Sequence, residues 1–325
     1  MAYENPLAYV LGLEGLALLR SFTGEYDREY VEARIAEVRG LLDGGYAHLA
    51  GGAVEVARVG ADDGYRLWSR TYDGPNSAFD LDTPVIGEIL DGMPAGLALD
   101  AACGTGRISA LLAGRGHRVL GVDGSPEMLD HARARVPGGE FRLGDLHRLP
   151  VADDEVDLVV CSLALTHVPD LRPVFAEFAR VLRPGGHLVT SDIHGEYVLR
   201  GSMPRLRLAD GSPGRIASHR HSPGDYLRAA LPTGLQVRRC EEPGIAPAEP
   251  AEPAEPAAPA EPTAPAASPV LPEFTESAGP PQAPEAAELG PWEVWPWWLA
   301  DLVPEAARVA NAGTPAEIIW HFQLA

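Results

Sequence analysis

The chain has 325 residues, 46% of them hydrophobic, so it can bury a full α/β core and still carry additional elements. Its formal net charge of −20 argues against a nucleic-acid partner, because phosphate binding relies on clustered basic side chains. The three cysteines, Cys103, Cys161 and Cys240, lack metal-ligand spacing, so neither a disulfide framework nor a metal site is predicted. We expect a reduced, cytoplasmic setting without export signal or membrane span, since the apolar stretch 10–19 is short and contains an acidic residue.

The first part of the chain predicts a helical cap. Apolar residues recur at helical spacing over 7–42 and indicate two amphipathic helices joined near Gly24. Two short alternating segments, 54–56 and 65–68, flank an Asp-Asp-Gly turn and predict a small β-hairpin. We therefore expect residues 1–70 to form a unit of helices and one hairpin ahead of the main domain.

The segment that follows residue 97 indicates a nucleoside site. A short apolar strand ends at Asp100 and runs into a turn containing Gly104 and Gly106, after which a helical pattern begins. Glycine lacks a Cβ, so a ligand can lie against bare peptide beside the unpaired N–H groups of the following helix. Asp123 closes the next apolar run and can accept hydrogen bonds from both hydroxyls of a ribose. Together these residues predict a nucleoside-cofactor site.

From residue 97 onward strand and helix patterns alternate, which is typical of an α/β fold with helices on both faces of a parallel sheet. The predicted strands are 97–100, 118–123, 140–143, 156–162, 187–193, 235–240 and 316–324. We expect a doubly wound, mostly parallel seven-stranded sheet, formed by residues 71–242 and 291–325. One helix should begin after Ser125, which can cap it, with Pro126 at its first position.

A segment of biased composition separates the last two predicted strands. Residues 243–290 are rich in Pro, Ala and Glu, and such a sequence neither continues a helix nor pairs in a sheet. We expect a disordered or extended insertion, either a passive spacer or a docking segment for a partner protein. Four of the six tryptophans follow within 291–299 and predict either a surface helix packed on the sheet or a wall over an apolar acceptor pocket.

Five motifs follow one another along residues 97 to about 194. They are DAACGTG from Asp100, GVDGS from Gly121, LGDL from Leu143, VDLVVCS from Val156 and VLRPGG from Val181. In this order they resemble the motifs of class I S-adenosylmethionine-dependent methyltransferases, in particular the small-molecule branch called type 11. One departure is Ala102, which stands where the family often has its first glycine. Alanine is the mildest replacement, so the resemblance implies a Rossmann-like methyltransferase fold.

The resemblance implies an S-adenosylmethionine site. It assigns to that site Tyr72, Asp100, Ala102, Cys103, Gly104, Gly106, Asp123, Asp145, Leu146 and Ser162. Asp100 would orient the methionine amino group, Asp123 would hold the ribose hydroxyls and Asp145 would accept from the adenine amino group. The backbone N–H of Leu146 would approach the adenine ring. Ser162 would lie where cofactor and acceptor meet, and packing at a domain edge is the alternative role of Tyr72.

The resemblance also implies transfer of a methyl group to O, N or C of a small metabolite, with apolar and aromatic acceptors among the candidates. Holding the acceptor in line with the methyl group is then the main task of the protein. We select His167 and His221 as candidate general bases, and a pocket-lining or structural role is the alternative for each. Ser109 at the third fingerprint position disfavours a dinucleotide oxidoreductase. A non-methylating cyclase or a regulatory protein on the same fold is also compatible with the motifs.

Overall fold

The computed structural model describes residues 1–45, 53–69, 72–74, 77–201, 203–208, 210–244 and 297–325. The strands are β1 (Ala2–Glu4), β2 (Val54–Val59), β3 (Leu97–Ala101), β4 (Arg118–Asp123), β5 (Glu140–Leu143), β6 (Val156–Ser162), β7 (Leu182–Ile193), β8 (Arg205–Arg207), β9 (Pro213–Ile216), β10 (Leu235–Glu241) and β11 (Glu317–Leu324). The helices are α1 (Pro6–Arg20), α2 (Arg28–Gly40), α3 (Ala61–Trp68), α4 (Ser77–Asp91), α5 (Arg107–Gly114), α6 (Pro126–Arg135), α7 (Leu171–Val181), α8 (Gly195–Leu199), α9 (Pro223–Ala230) and α10 (Pro304–Asn311). None of the helices in these ranges has the length and apolar character needed to cross a membrane. The predicted Pro/Ala/Glu-rich insertion lies almost wholly outside the described residues.

The main sheet contains seven strands in the order β10-β11-β7-β6-β3-β4-β5. Neighbouring strands from β7 to β5 run parallel, whereas β11 runs antiparallel to both β7 and β10. All seven predicted strands are present, and β7 begins five residues earlier than its predicted start at 187. The predicted doubly wound, mostly parallel α/β fold is therefore confirmed.

The central strands are buried because helices cover both faces of the sheet. On one face, β6 and β7 pack under Phe175 and Phe178 of α7, and on the other face under Ile86 and Leu90 of α4. The predicted start of α6 is confirmed: the Ser125 hydroxyl accepts from the backbone N–H three residues later, with proline at the first helical position. These layers fix the ends of the parallel strands, where the candidate site lies.

The two predicted N-terminal helices are confirmed as α1 and α2. Asn5 caps α1 by accepting from the N–H of Leu7 at 2.9 Å, ahead of the proline that begins the helix. Helix α1 packs on α10 and on a 3₁₀ helix, Trp297–Leu302. There Leu299 is fully buried against the N-terminal helices instead of on the main sheet. The tryptophan side chains of the predicted aromatic segment lie outside the described residues.

The predicted hairpin over 54–68 is wrong. Strand β2 pairs with β1 and β9 in a four-stranded sheet of order β1-β2-β9-β8, and residues 61–68 form helix α3. This helix places Gly64 and Trp68 on one face, and a Cβ on Gly64 would lie 2.4 Å from Cγ1 of Ile216. The indole N–H of Trp68 donates to the carbonyl of Arg205 at 3.0 Å. The hairpin fails because β2 pairs with β1, which precedes it, and with β9, which comes from a distant part of the chain. The two aspartates after β2 also suit the first turn of a helix.

One carboxyl group in the core stands without a counter-ion. Glu317 begins β11, is 1% exposed, and neither of its carboxylate oxygens has a hydrogen-bond partner among the described residues. Burial, assisted by the nearby carboxylates of Asp82 and Asp192, raises the pKa of Glu317 to about 10. The folded protein therefore holds a proton on this side chain at neutral pH.

Replacing Glu317 by glutamine should stabilise the protein at alkaline pH. The folded state keeps the proton up to a pKa of about 10, whereas the unfolded chain releases it near 4.5, so the stability of the parent protein falls as pH rises between these values. We expect Glu317→Gln to raise the free energy of unfolding by about 1–3 kcal/mol at pH 8 and by much less at pH 4.5. Urea denaturation at both pH values measures this difference. The exposed Glu55→Gln is the control, and an equal effect of Glu317→Gln at both pH values would contradict the assignment.

Candidate active site

A cavity of about 240 Å³ opens at the carboxyl edge of the main sheet. It lies where the strand order reverses between β3 and β6, the place where open α/β sheets bind ligands. The ends of β3, β4 and β6 contribute to its lining, together with the segment 144–147 after β5. Helix α3 covers one side with Ala61, Asp62 and Tyr65. The site therefore combines the main sheet with an element that the sequence had assigned to a hairpin.

The turn after β3 brings backbone to the cavity. Gly104 and Gly106 have φ values of 52° and 84°, in the left-handed region that glycine adopts without strain. A Cβ on Gly106 would lie 3.0 Å from Cα of Ala132, so a side chain there would force α6 away from the turn. Gly104 lines the cavity and sits beneath the ring of Tyr72. The predicted close approach of a ligand to bare peptide fits this geometry.

Two residues that line the cavity have strained backbones. Ala102 and Leu163, with φ values of 60° and 55°, are two of the three non-glycine residues with positive φ in the described part of the chain. Such a conformation costs an L-residue about 1–2 kcal/mol and persists only where surrounding structure enforces it. Ala102 thus takes up the glycine-like conformation that its place in the motif requires. Strain concentrated at one cavity is consistent with a functional site.

Asp123 ties the turn to the end of β4. Its Oδ2 accepts from the N–H of Gly104 and its Oδ1 from the N–H of Ser125, each at 2.8 Å. Burial raises the pKa of Asp123, and the two backbone hydrogen bonds oppose that rise. Each carboxylate oxygen has a second lone pair, and Asp123 lines the cavity, so the group can also accept from two hydroxyls of a ligand.

Three carboxylates give the cavity a negative lining: Asp62, Asp123 and Asp145. Asp145 is held by His147, whose backbone N–H and ring Nδ1 lie 2.6 Å and 2.7 Å from Oδ1. These contacts lower the pKa of Asp145, the backbone hydrogen bond most strongly. Its Oδ2 is left to accept from a ligand. A cavity of this charge favours a cationic ligand.

A tyrosine and a histidine meet at the wall of the cavity. Nδ1 of His167 donates to the carbonyl of Ala217 at 2.8 Å, so Nε2 is the acceptor for the hydroxyl of Tyr65 at 2.8 Å. Burial lowers the pKa of His167 to about 4, so the ring is neutral at physiological pH. Burial raises the pKa of Tyr65, which keeps the phenol protonated. The pair can therefore act as a neutral base: the phenolic oxygen of Tyr65 would receive a proton, and the phenolic proton would pass to Nε2 of His167.

Behind the cavity lies a buried ion pair that sequence reasoning missed. Arg107, directly after the glycine turn, donates to both carboxylate oxygens of Asp82 on α4 at 2.7 Å. The hydroxyls of Ser162 and Ser191 also donate to Asp82, at 2.6 Å and 2.9 Å. The oxygen of Ser162 also accepts from Nη2 of Arg107 at 2.7 Å, so this hydroxyl contacts both members of the ion pair. Asp82 was not predicted as a site residue because it lies within a regular helical pattern and belongs to none of the five motifs.

Seven of the ten predicted cofactor residues line the cavity, namely Tyr72, Ala102, Gly104, Asp123, Asp145, Leu146 and Ser162. The other three lie behind it. Asp100 is 1% exposed and accepts from the Ser109 hydroxyl at 2.7 Å, and burial raises its pKa to about 6. Cys103 packs beneath α6, and Gly106 provides the close contact with that helix. Their predicted cofactor roles stay predictions.

The two candidate bases occupy different places. His167 lines the cavity beside Tyr65. His221 does not: it is 9% exposed, and its Nε2 donates to the carbonyl of Val168 at 2.8 Å. The ring packs edge-on against Tyr226. These contacts indicate that His221 packs in the core. Only His167 is therefore considered below as a general base.

Residues 99–190 match the family model described as a methyltransferase domain. This segment is a methyltransferase domain. A malonyl-[acyl-carrier protein] O-methyltransferase of Serratia marcescens is 40% identical over 112 residues, which cover 33% of this chain and 44% of that protein. Methyltransferase GfsG of Streptomyces halstedii is 38% identical over 129 residues, covering 38% of this chain and 45% of that protein.

A crystal structure of an S-adenosylmethionine-dependent methyltransferase from Mesorhizobium loti is 21% identical, covers 78% of this chain and 99% of that chain, and superposes with a TM-score of 0.46. The chain spans less than half the length of the curated relatives described above. The segment that matches the family model extends from within β3 to within β7 and includes the glycine turn, Asp123 and His167.

The buried ion pair behind the cavity should be essential for folding stability. Asp82→Asn removes the charge that compensates Arg107 while keeping the side-chain shape, and breaking a buried pair in this way costs about 3–5 kcal/mol. The control is Asp91→Asn, which removes the carboxylate of the exposed Arg115–Asp91 pair and should cost less than about 1 kcal/mol. Urea denaturation of both variants measures the two losses. Equal losses would contradict a special role for Asp82.

Proposed function

We propose that the protein is an S-adenosylmethionine-dependent methyltransferase that acts on a small-molecule acceptor. The observation that carries this proposal is the glycine turn after β3, held by Asp123 at the switch point of the sheet inside a methyltransferase domain. We propose a small acceptor because the cavity is lined by carboxylates and the chain has a net charge of −20, both unfavourable for nucleic acid. The predicted cytoplasmic location stays a prediction.

The residues around the cavity fit the proposed cofactor. Asp123 would hold the ribose hydroxyls, and Asp145 with the backbone of Leu146 would receive the adenine. The carboxylates suit the positive charges of the amino acid portion, and Asp100 would support the turn through Ser109. When bound, the cofactor supplies a methyl group already activated by a sulfonium charge. The chain then needs to orient the acceptor and manage its proton.

We infer that Tyr65 and His167 receive the proton of an acceptor hydroxyl. The Tyr65 proton already points to Nε2 of His167, so the phenolic oxygen can accept a hydrogen bond from the acceptor. The acceptor proton would pass to Tyr65 while the phenolic proton passes to His167. After the transfer Tyr65 is again a neutral phenol, and His167 carries one additional proton and a positive charge. The carbonyl of Ala217 then faces a charged imidazole and stabilises it. The named activity of the Serratia relative, an O-methyltransferase, supports an oxygen acceptor.

Loss of the Asp123 carboxylate should weaken cofactor binding. Asp123→Asn should lower the affinity for S-adenosylhomocysteine by about 10-fold to 100-fold, the value of one or two hydrogen bonds to a charged group. Isothermal titration calorimetry measures the affinity, and circular dichroism checks that the variant is folded. The matched control is Asp130→Asn, an exposed aspartate on α6. Unchanged affinity in a folded Asp123→Asn variant would overturn the ribose assignment.

The Tyr65–His167 pair should control the rate of methyl transfer without controlling cofactor binding. With hydroxyl acceptors, Tyr65→Phe and His167→Gln should each lower kcat by about 10²-fold to 10⁴-fold and leave the affinity for S-adenosylhomocysteine within about 2-fold. Because the pKa of His167 is about 4, the parent protein should lose activity on the acid side only as pH approaches that value. Release of S-adenosylhomocysteine from a panel of phenols, alcohols and carboxylic acids measures the rate. An acid limb near pH 6.5 would contradict the buried, neutral histidine.

A further inference from the structure

A second cavity, of about 500 Å³, lies between helix α1 and the four-stranded sheet. Its apolar side is formed by α1, with Ala8, Leu13 and Leu16 facing inward. Across from this side stand three arginines, Arg200, Arg205 and Arg215. The cavity thus has one apolar wall and one cationic wall.

The small sheet separates this cavity from the candidate active site. Side chains alternate along β9, so Ile216 faces α3 while its neighbour Arg215 faces the second cavity. Likewise Leu206 of β8 packs toward α3, and Arg205 points the other way. Since α3 lines the candidate active site, the two cavities lie on opposite faces of the small sheet. A ligand in the second cavity would not be the methyl acceptor.

Two arginines of the cationic wall stand directly opposite each other. Arg205 and Arg215 are cross-strand partners in the antiparallel β8–β9 pair, an arrangement that is destabilising for like charges. Both side chains are mostly buried, with 16% and 14% exposed, and both form ion pairs with Glu4. The Nε of Arg205 is buried and has no hydrogen-bond partner among the described residues. One carboxylate is therefore shared between two buried guanidinium groups.

The other charged residues that line the second cavity do not neutralise these arginines. Arg200 donates through Nη1 to the carbonyl of Ala310 and to the amide oxygen of Asn311, which are neutral acceptors. Burial lowers the pKa of Arg200. The other acidic residue in the lining, Glu196, forms an ion pair with Arg220. The three arginines therefore form a local excess of positive charge in a chain whose net charge is −20, and two of them are largely shielded from water. A bound anion would reduce the repulsion between these guanidinium groups.

We propose that the second cavity binds a small amphipathic anion, with its head group against Arg205 and Arg215 and its apolar chain against α1. Arginine suits this task because its planar fork can bind a carboxylate or a phosphate through two parallel hydrogen bonds. The leucines of α1 would contribute by removing apolar ligand surface from water. This inference does not depend on the proposed methyltransferase activity.

The test uses the full chain and ligands of one chain length. Isothermal titration calorimetry with decanoate, decyl phosphate and decanol compares two anionic heads with a neutral one. We expect decanoate or decyl phosphate to bind at least 10-fold more tightly than decanol, and the stronger of the two identifies the head group. Equal binding of decanol, or no binding of either anion below about 1 mM, would overturn the proposal.

Variants then locate the bound anion. Arg215→Gln should weaken binding of the preferred anion at least 10-fold, whereas Arg207→Gln, on the same small sheet but exposed and outside the lining, should leave it unchanged. Leu16→Asp should also weaken binding by placing a carboxylate on the apolar wall. Circular dichroism confirms that each variant is folded, so the result does not depend on the proposed function. Equal affinity of the parent and Arg215→Gln for the anion would place it elsewhere.

Discussion

The candidate site depends on one carboxylate. Asp123 accepts from the N–H of Gly104 and from the N–H of Ser125, so a single side chain at the end of β4 fixes both the turn after β3 and the start of α6. Because this group is largely buried, its hydrogen bonds act in a medium of low dielectric constant and hold their geometry well. The backbone that faces the cavity is therefore positioned by neighbouring strands of a rigid sheet, and the strained conformation of Ala102 can persist there.

Asp82 provides the second anchor from behind. Burying a carboxylate is costly unless each oxygen finds donors, and here one guanidinium and two serine hydroxyls supply them. The donors come from α5, β6 and β7, so Asp82 joins three elements at the carboxyl edge of the sheet. Ser162, which lines the cavity, is oriented by this network because its hydroxyl donates to Asp82 and accepts from Arg107. Glu317, close by and without such donors, illustrates the opposite case, since burial leaves it protonated.

The sequence predicted what depends on local pattern. Apolar runs with helices between them located all seven strands of the main sheet, because buried parallel strands and amphipathic helices have distinct periodicities. The Ser125 cap and the glycine turn were also readable, since each is encoded within a few residues. Seven of ten proposed cofactor positions line one cavity because motifs at strand ends converge at a single sheet edge. Which atoms bind a ligand depends on side-chain geometry that the motifs do not contain.

What the sequence missed depends on contacts between distant segments. Residues 65–68 were predicted as a strand because their side chains alternate after an Asp-Asp-Gly turn. In the structure they belong to a helix, and the small sheet on which that helix packs is completed only by β8 and β9, about 140 residues later. Once this sheet forms, its two faces acquire different tasks: Ile216 holds α3, and with it Tyr65, over one cavity, while Arg215 faces another. The residue after β9, Ala217, fixes the tautomer of His167 through its carbonyl. A four-residue strand thus positions groups in both cavities, and a change in its register by one residue would exchange their environments.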